Sequence, residues 1–191
     1  VEVGRIHPGD WLVVYRAGGV GLSATHIATS AGANVITVDI ADDKLELARK
    51  VGAVETINSR ETNPGEAVRE LTGGGADKSS DALGSPDTLH DAVNSLRSGG
   101  VHIQIGMTPE GPAGDVPLTI NDIVAKEIDF RGSFGMPAVE FRYLLNQVAA
   151  GKLQPGQLVT KTIALQDVND ALNAMSPYST VGTSVITDYT H

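Results

Sequence analysis

No cysteine occurs among the 191 residues. Disulfides, thiol nucleophiles and cysteine-ligated metal centres are therefore excluded within this chain. Basic residues are also scarce. Fourteen Lys and Arg stand against 23 Asp and Glu, a formal net charge of -9. So acidic a chain has no electrostatic footprint for nucleic acid or an anionic membrane, and neither is expected as a partner. No apolar run approaches the ~20 residues of a membrane span. The segment Val1 to Asp10 has no signal-peptide layout, so a cytoplasmic setting is expected. The chain also begins without Met, and its first residues read as the interior of something longer; a piece of a larger chain is expected.

What is present is ordinary globular composition, 41% hydrophobic and 19% charged, with a high count of 22 glycines. Strand-like and helix-like stretches alternate. Trp11 to Tyr15 is a short apolar run bounded by turn residues, which predicts a buried strand. Gly21 to Ala31 carries Ala24, Ile27, Ala28 and Ala31 at helical spacing, and Val35 to Asp39 predicts the second strand. Asp42 to Val51 is a helix closed by Gly52, Thr56-Ile57 a weak third strand, and Pro64 to Leu71 a helix stopped by glycines. The fourth strand is expected near Lys78 to Leu83, although Lys-Ser-Ser-Asp is poor composition for a buried strand. Ser85-Pro86 opens a helix, as N-cap and first helical position, running to about Leu96. Val101 to Ile105 is the fifth strand, a loop with Pro109, Gly111, Pro112, Gly114 and Pro117 follows, Thr119 to Ala125 is a short helix, and Ile128 to Phe134 is the sixth strand. Beyond it lie a helix from Val139 to Ala150, a strand from Leu158 to Leu165, a helix from Asp167 to Met175 and a last strand from Thr183 to Thr187. Repeated β-α-β units predict an α/β fold, a doubly wound parallel sheet covered on both faces.

The chemistry concentrates at one turn. Tyr15-Arg-Ala-Gly-Gly-Val-Gly21 joins the first strand to the first helix. Glycine lets the backbone approach a pyrophosphate, and the helix behind it offers unpaired N–H groups and its positive dipole end. Gly18, Gly19, Val20 and Gly21 are the candidate phosphate-binding residues, Gly18 for close approach and Gly21 for helix–strand packing. The usual pattern has a glycine where this chain has Arg16. Asp39 lies 21 residues after Gly18 at the end of the second strand, where a carboxylate can accept hydrogen bonds from both adenosine ribose hydroxyls. The same charge repels a 2′-phosphate, which favours NAD over NADP. Lys44, five residues on, is a further candidate for the ribose.

Taken together, Ala17-Gly-Gly-Val-Gly21, Val35-Ile-Thr-Val-Asp39, Lys44 and Lys50-Val-Gly-Ala53 resemble the medium-chain dehydrogenase/reductase superfamily, the zinc-type alcohol and polyol dehydrogenases. The resemblance continues through Gly99-Gly-Val-His-Ile-Gln-Ile-Gly106, Val124-Ala-Lys-Glu-Ile-Asp-Phe-Arg-Gly-Ser-Phe134 and Val181-Gly-Thr-Ser-Val-Ile186. It implies a six-stranded Rossmann sheet of order 3-2-1-4-5-6 over residues 1–134. Residues 135–191 would be a C-terminal helix and strand appendage that packs against a catalytic domain not in this chain. That domain, upstream of Val1, would carry the zinc ligands, a Cys, a His, and a Cys or Glu. The resemblance also implies NAD as cofactor, a secondary or polyol alcohol as substrate of the complete enzyme, and Ile105, Gly106 and Ser133 against the nicotinamide carboxamide. It further implies homo-oligomerisation through the sixth-strand edge. A cationic residue that the family often places near the pyrophosphate is matched here by Thr183. Without the other domain, Leu144, Leu145, Leu158, Val159 and Ile163 are expected to be exposed.

Other chemistries find little support. The five histidines, His7, His26, His90, His102 and His191, do not pair at metal spacing and read as surface or packing residues. Tyr143 is followed four residues later by Gln147, so the Tyr-Lys pair of short-chain dehydrogenases is missing there. There is no Gly-x-Ser-x-Gly elbow and no Walker lysine after the glycines. Asp77, Asp81 and Asp87 read as a solvated acidic rim. Two alternatives stay open: a non-catalytic nucleotide sensor or degenerate scaffold, motivated by Arg16 and Thr183, and an adenosylmethionine-dependent methyltransferase, against which the residues after strand four argue.

Overall fold

The computed structural model describes residues 2–108, 115–175 and 180–190. Pro109, Gly111, Pro112 and Gly114 of the expected loop, and His191, lie outside the described residues. The first strand, β1 (Trp11–Tyr15), is buried along almost its whole length. Alternation sends Leu12 and Val14 into one core cluster with Ala28 and Val35. Val13 and Tyr15 enter another with Ile36, Val38, Ile57 and Val68. A strand apolar on both faces belongs at the centre of a parallel sheet.

The sheet has the order β3-β2-β1-β4-β5-β6. Its other strands are β2 (Asn34–Asp39), β3 (Glu55–Asn58), β4 (Ala76–Asp81), β5 (Leu96–Gln104) and β6 (Asp129–Gly132), and every pairing is parallel. The connecting helices are α1 (Gly19–Ser30), α2 (Asp42–Lys50), α3 (Pro64–Thr72), α4 (Pro86–Asn94) and α5 (Ile120–Ala125). The predicted doubly wound architecture and strand order are therefore observed. Local chemistry sets the helix starts. Asn63 accepts the N–H of Glu66 ahead of Pro64, and Ser85 accepts that of Thr88 ahead of Pro86.

Several boundaries differ from expectation, β4 and β6 among them, and three of the differences have a plain physical reason. Helix α1 begins at Gly19, not Gly21, because the glycine turn is already helical there. Helix α4 ends at Asn94, and β5 begins at Leu96, well before the expected Val101. The reason is a tertiary pairing. Ala76 N donates to Ser95 O at 2.8 Å, and Ala76 pairs with Leu96 across a register shift that precedes the regular ladder. The poor composition of β4 is real, yet it lies between β1 and β5 with Ser79, Ser80 and Asp81 buried.

The C-terminal part contributes α6 (Phe141–Ala149), β7 (Val159–Ala164), α7 (Val168–Met175) and β8 (Thr183–Asp188). Strands β7 and β8 form a separate two-stranded parallel sheet. The expected apolar exposure is met only in part. Leu145 and Val159 are exposed, and Phe134 is 91% exposed. Ile163, however, is buried, and Leu144 is half-buried. Leu158 and Val181 pack against the cluster of Ala17, Leu22, Leu47 and Val51, so the appendage has its own seat on α1 and α2.

The join of α1 to β1 rests on one glycine. A Cβ at Gly21 would stand 1.7 Å from the carbonyl oxygen of Arg16, whereas at Gly19 it would meet nothing within 4 Å. Gly21→Ala should therefore lose about 3 kcal/mol or more in urea denaturation, beyond ordinary overpacking, while Gly19→Ala stays within about 1 kcal/mol of the parent. Equal effects of the two substitutions would remove the special status of Gly21.

Candidate functional site

All the residues singled out in the sequence lie at or just beyond the C-terminal ends of sheet strands or at the start of the next helix. In an open α/β sheet this edge, where the strand order reverses between β1 and β4, is where ligands bind. Gly18 is the N-cap of α1, with φ -80 and ψ -173, and donates no side chain to the helix end. Gly19 and Val20 form the first turn, Val20 is exposed, and no acidic residue occupies that turn. The N–H groups there accordingly face the opening with their positive dipole end intact.

Asp39 ends β2 and is buried. Its Oδ2 accepts the N–H of Ala17 at 2.7 Å, and its Oδ1 accepts those of Ile40 at 2.8 Å and Ala41 at 3.1 Å. Arg16 Nε stands 3.9 Å from the same Oδ2. Lys44, in the first turn of α2, is only 4% exposed. Burial lowers its pKa and the Arg16 guanidinium adds to that, while Asp39 and Asp43 oppose it. Gly18 to Gly21, Asp39 and Lys44 are thus one cluster around residue 16, the departure from pattern that motivated the alternative of a sensor or degenerate scaffold. Arg16 has φ +82, the left-handed region that a glycine adopts freely and an arginine rarely does.

The second group sits across the crevice. The N–H groups of Ile105 and Gly106 both donate to Asp81 O, at 3.0 and 2.9 Å, and that of Ser133 donates to Gln104 O at 2.9 Å. A Cβ at Gly106 would lie 2.3 Å from the carbonyl carbon of Leu83, so glycine is required there by the chain itself. Gly19 and Val20 of the first group and Ile105 and Ser133 of the second line one cavity of about 800 Å³; Gly18, Asp39, Lys44 and Gly106 are not in its lining. Ser80 also lines it, and among the described residues its buried Oγ has no hydrogen-bond partner.

The chain was compared with known proteins on this footing. The family model for zinc-binding dehydrogenases matches residues 19–150, more than half of the chain. The chain belongs to the zinc-binding dehydrogenase family. An alcohol dehydrogenase of Moraxella sp. (strain TAE123) is 36% identical over 183 residues, which are 96% of this chain and 52% of that enzyme. Among solved structures, benzyl alcohol dehydrogenase from Acinetobacter calcoaceticus has a TM-score of 0.88 and 29% identity, covering 97% of this chain and 51% of that one. An alcohol dehydrogenase from E. coli CFT073, complexed with NADH, has a TM-score of 0.85 and 26% identity, covering 96% of this chain and 54% of that one. The chain thus spans about half the length of these family members.

Family membership leaves the acidic residues about β4 to be explained by geometry, and here the expectation of a solvated rim holds for exposed Asp87 but is corrected for Asp81 and, in part, for Asp77. Asp81 is completely buried. Its Oδ1 accepts the N–H groups of Leu83 at 2.8 Å and Gly84 at 3.0 Å, and its Oδ2 accepts Thr88 Oγ1 and Gln104 Nε2, both at 3.2 Å. Asp77 accepts Trp11 N at 2.8 Å and Arg97 Nε at 2.8 Å. Burial alone would raise its pKa, but the Trp11 and Arg97 bonds outweigh that and lower it. The only trace in sequence was three aspartates placed about one strand.

The same network holds His102, as the expectation of a satisfied histidine in a strand requires. Its Nδ1 meets Ser79 Oγ at 2.9 Å and its Nε2 meets Gln104 Oε1 at 2.9 Å, with no exposed surface. Burial lowers its pKa against smaller raising effects of Gln104 and Asp81. A histidine with a depressed folded pKa binds fewer protons than in the unfolded chain. Its stabilising contribution is full above the unfolded value near 6.5 and is lost as pH falls from there toward the folded value. His26, also lowered by burial, acts in the same direction. Unfolding free energy should therefore decline on acidification from pH ~6.5, more weakly in His102→Asn, and NMR should find the His102 ring titrating below the free-histidine value. A His102 midpoint at or above that value would contradict the assignment.

Proposed function

We propose that this chain is the NAD-holding half of a zinc-type alcohol dehydrogenase, with residues 1–134 as the dinucleotide-binding unit and residues 135–191 as the part that faces the remainder of the enzyme. The observation that carries this is a cavity lined both by Gly19 and Val20, in the first turn of α1 with no side-chain cap, and by Ile105 and Ser133. Its fit to a dinucleotide is supported by open space beside Gly19, where no atom would contact an added Cβ. The N–H groups of Gly19 and Val20 would hold the diphosphate, and Asp39 with Lys44 would lie beside the adenosine ribose. With the N–H groups of Ile105, Gly106 and Ser133 committed to strand partners, the Ile105 carbonyl and the Ser133 hydroxyl remain for the carboxamide. Bound NAD supplies the hydride acceptor for oxidation of an alcohol.

The chain's residues do not fit the zinc. It has no cysteine, and among the described residues no three His, Asp or Glu side chains are grouped to hold a metal ion. The zinc ligands and the proton relay belong, on this reading, to the half of the relatives that the chain does not cover, and the relatives' alcohol dehydrogenase names support that division. Pairing through the outer edge of β6 is part of the same proposal. Strand β6 pairs only with β5 among the described strands, and Phe130 on it is exposed.

Titration of NADH fluorescence should give saturable binding, and the purified chain with NAD, zinc and an alcohol should give no turnover. Gly18→Asp is a suitable probe, because its Cβ has room and aspartate is a good N-cap. It should keep the fold and weaken NADH by about tenfold or more, by placing negative charge where the diphosphate sits. Turnover by the chain alone would overturn the division of labour; undiminished binding in Gly18→Asp would move the diphosphate elsewhere.

A further inference from the structure

The carboxylate at the end of β2 is not presented as an NAD-selective aspartate implies. A lone carboxylate at the end of β2 discriminates by offering open lone pairs to two hydroxyls and by repelling a 2′-phosphate. Here Asp39 is fully enclosed. Three main-chain N–H groups, from Ala17, Ile40 and Ala41, already bind it, and no part of its side chain is exposed. Arg16 covers the same oxygen, its Nε 3.9 Å from Oδ2, with a side chain still 13% exposed. The arginine stem lies along the mouth of the glycine turn, its Cγ 4.0 Å from where a Cβ of Gly18 would stand. Lys44 is close enough to both for each to act on its protonation. Two cations thus flank one carboxylate whose hydrogen-bonding capacity is largely spent on its own backbone. Counted with the first turn of α2, the cluster holds two cations, Arg16 and Lys44, and three carboxylates, Asp39, Asp42 and Asp43. Exposed Asp42 and Asp43 lie at the start of α2; Asp42 Oδ1 is engaged by Asn58 Nδ2 at 2.8 Å.

The backbone explains how an arginine comes to be there. Its N–H donates to Val38 O at 2.8 Å, and its carbonyl oxygen is wedged against Gly21. The turn is fixed on both sides, and residue 16 is held at φ +82 whatever its side chain. The guanidinium is therefore delivered to Asp39 by main-chain geometry, not by a flexible loop. Guanidinium suits a phosphate well, through paired charge-assisted hydrogen bonds.

Resting on the dinucleotide reading above, we propose that Arg16 sets cofactor specificity: with Lys44 it turns the adenosine-ribose pocket from one that rejects a 2′-phosphate into one that accepts it, so that the chain binds NADPH as well as NADH. Asp39 then serves as the anchor that orients Arg16, and the 2′-phosphate pairs with the Arg16 guanidinium.

The test is fluorescence titration of NADH and NADPH against the parent chain and Arg16→Gly, at low and at moderate salt. Glycine adopts the left-handed backbone freely, so the variant should fold, and urea denaturation checks that it does. The parent should bind the two nucleotides within about tenfold of each other, with NADPH the more salt-sensitive. Arg16→Gly should weaken NADPH by about 30-fold or more and NADH by no more than a few-fold, restoring selectivity for the unphosphorylated ribose. A parent that favours NADH by more than about 100-fold, with the same ratio in Arg16→Gly, overturns the role of Arg16 and leaves the dinucleotide reading standing. Binding that appears only in Arg16→Gly also overturns it, making the arginine an obstruction. If neither protein binds either nucleotide, the dinucleotide reading itself falls and this inference with it.

Discussion

The contact on which the site depends is the abutment of Gly21 on the carbonyl of Arg16. It sets how closely α1 can follow β1, and so where the helix end projects. With any side chain at that position the helix would have to lift away from the strand, and the first-turn N–H groups would no longer open on the cavity. The hydrogen bond from Arg16 N to Val38 O fixes the same turn from the other side. The opening at the helix end is in this sense a by-product of a packing requirement, since the glycine that matters most for its shape does so by contact with the chain itself.

Two buried carboxylates extend this arrangement to either side of β1. Asp39 closes β2 and Asp81 closes β4, and each accepts the N–H groups of the turn that follows its strand. Each also reaches across to a neighbouring element, Asp39 to Ala17 and Asp81 to Thr88 and Gln104. A buried carboxylate is tolerable only when so satisfied. Each satisfied one ties together two strand ends that would otherwise be free to splay. The crevice between them is rigid because its rims are tied by charge-assisted hydrogen bonds to main chain, and its floor is apolar.

What could be read in the sequence was whatever is decided locally. Strand β1 declares itself by unbroken apolar residues and β2 by Val35, Ile36 and Val38 about Thr37, and α3 and α4 by Asn63-Pro64 and Ser85-Pro86. The order of the strands came from the family likeness. Strand β4 resisted, because its serines and aspartate are buried only by virtue of partners far along the chain: Ser79 finds His102, and Asp81 finds Gln104. The early start of β5 at Leu96 resisted for the same reason, as Gly99 and Gly100 look like a helix stop until Ala76 is alongside. The places of Asp39 at the end of β2, of Lys44 at the start of α2 and of Arg16 in the turn were legible; their burial and mutual contact were not. No local pattern tells whether a carboxylate at a strand end faces solvent, sugar or its own backbone.

The left-handed backbone at residue 16 has a consequence for how such a protein can change over time. Because neighbours on both sides impose that conformation, the contour of the crevice and the electrical character of its rim are inherited through different residues. Gly21 and Val38 govern the former, and the side chain borne on position 16 governs the latter. A lineage can exchange one without renegotiating the other, so that the charge on that rim becomes a trait open to single-step drift inside an unaltered scaffold.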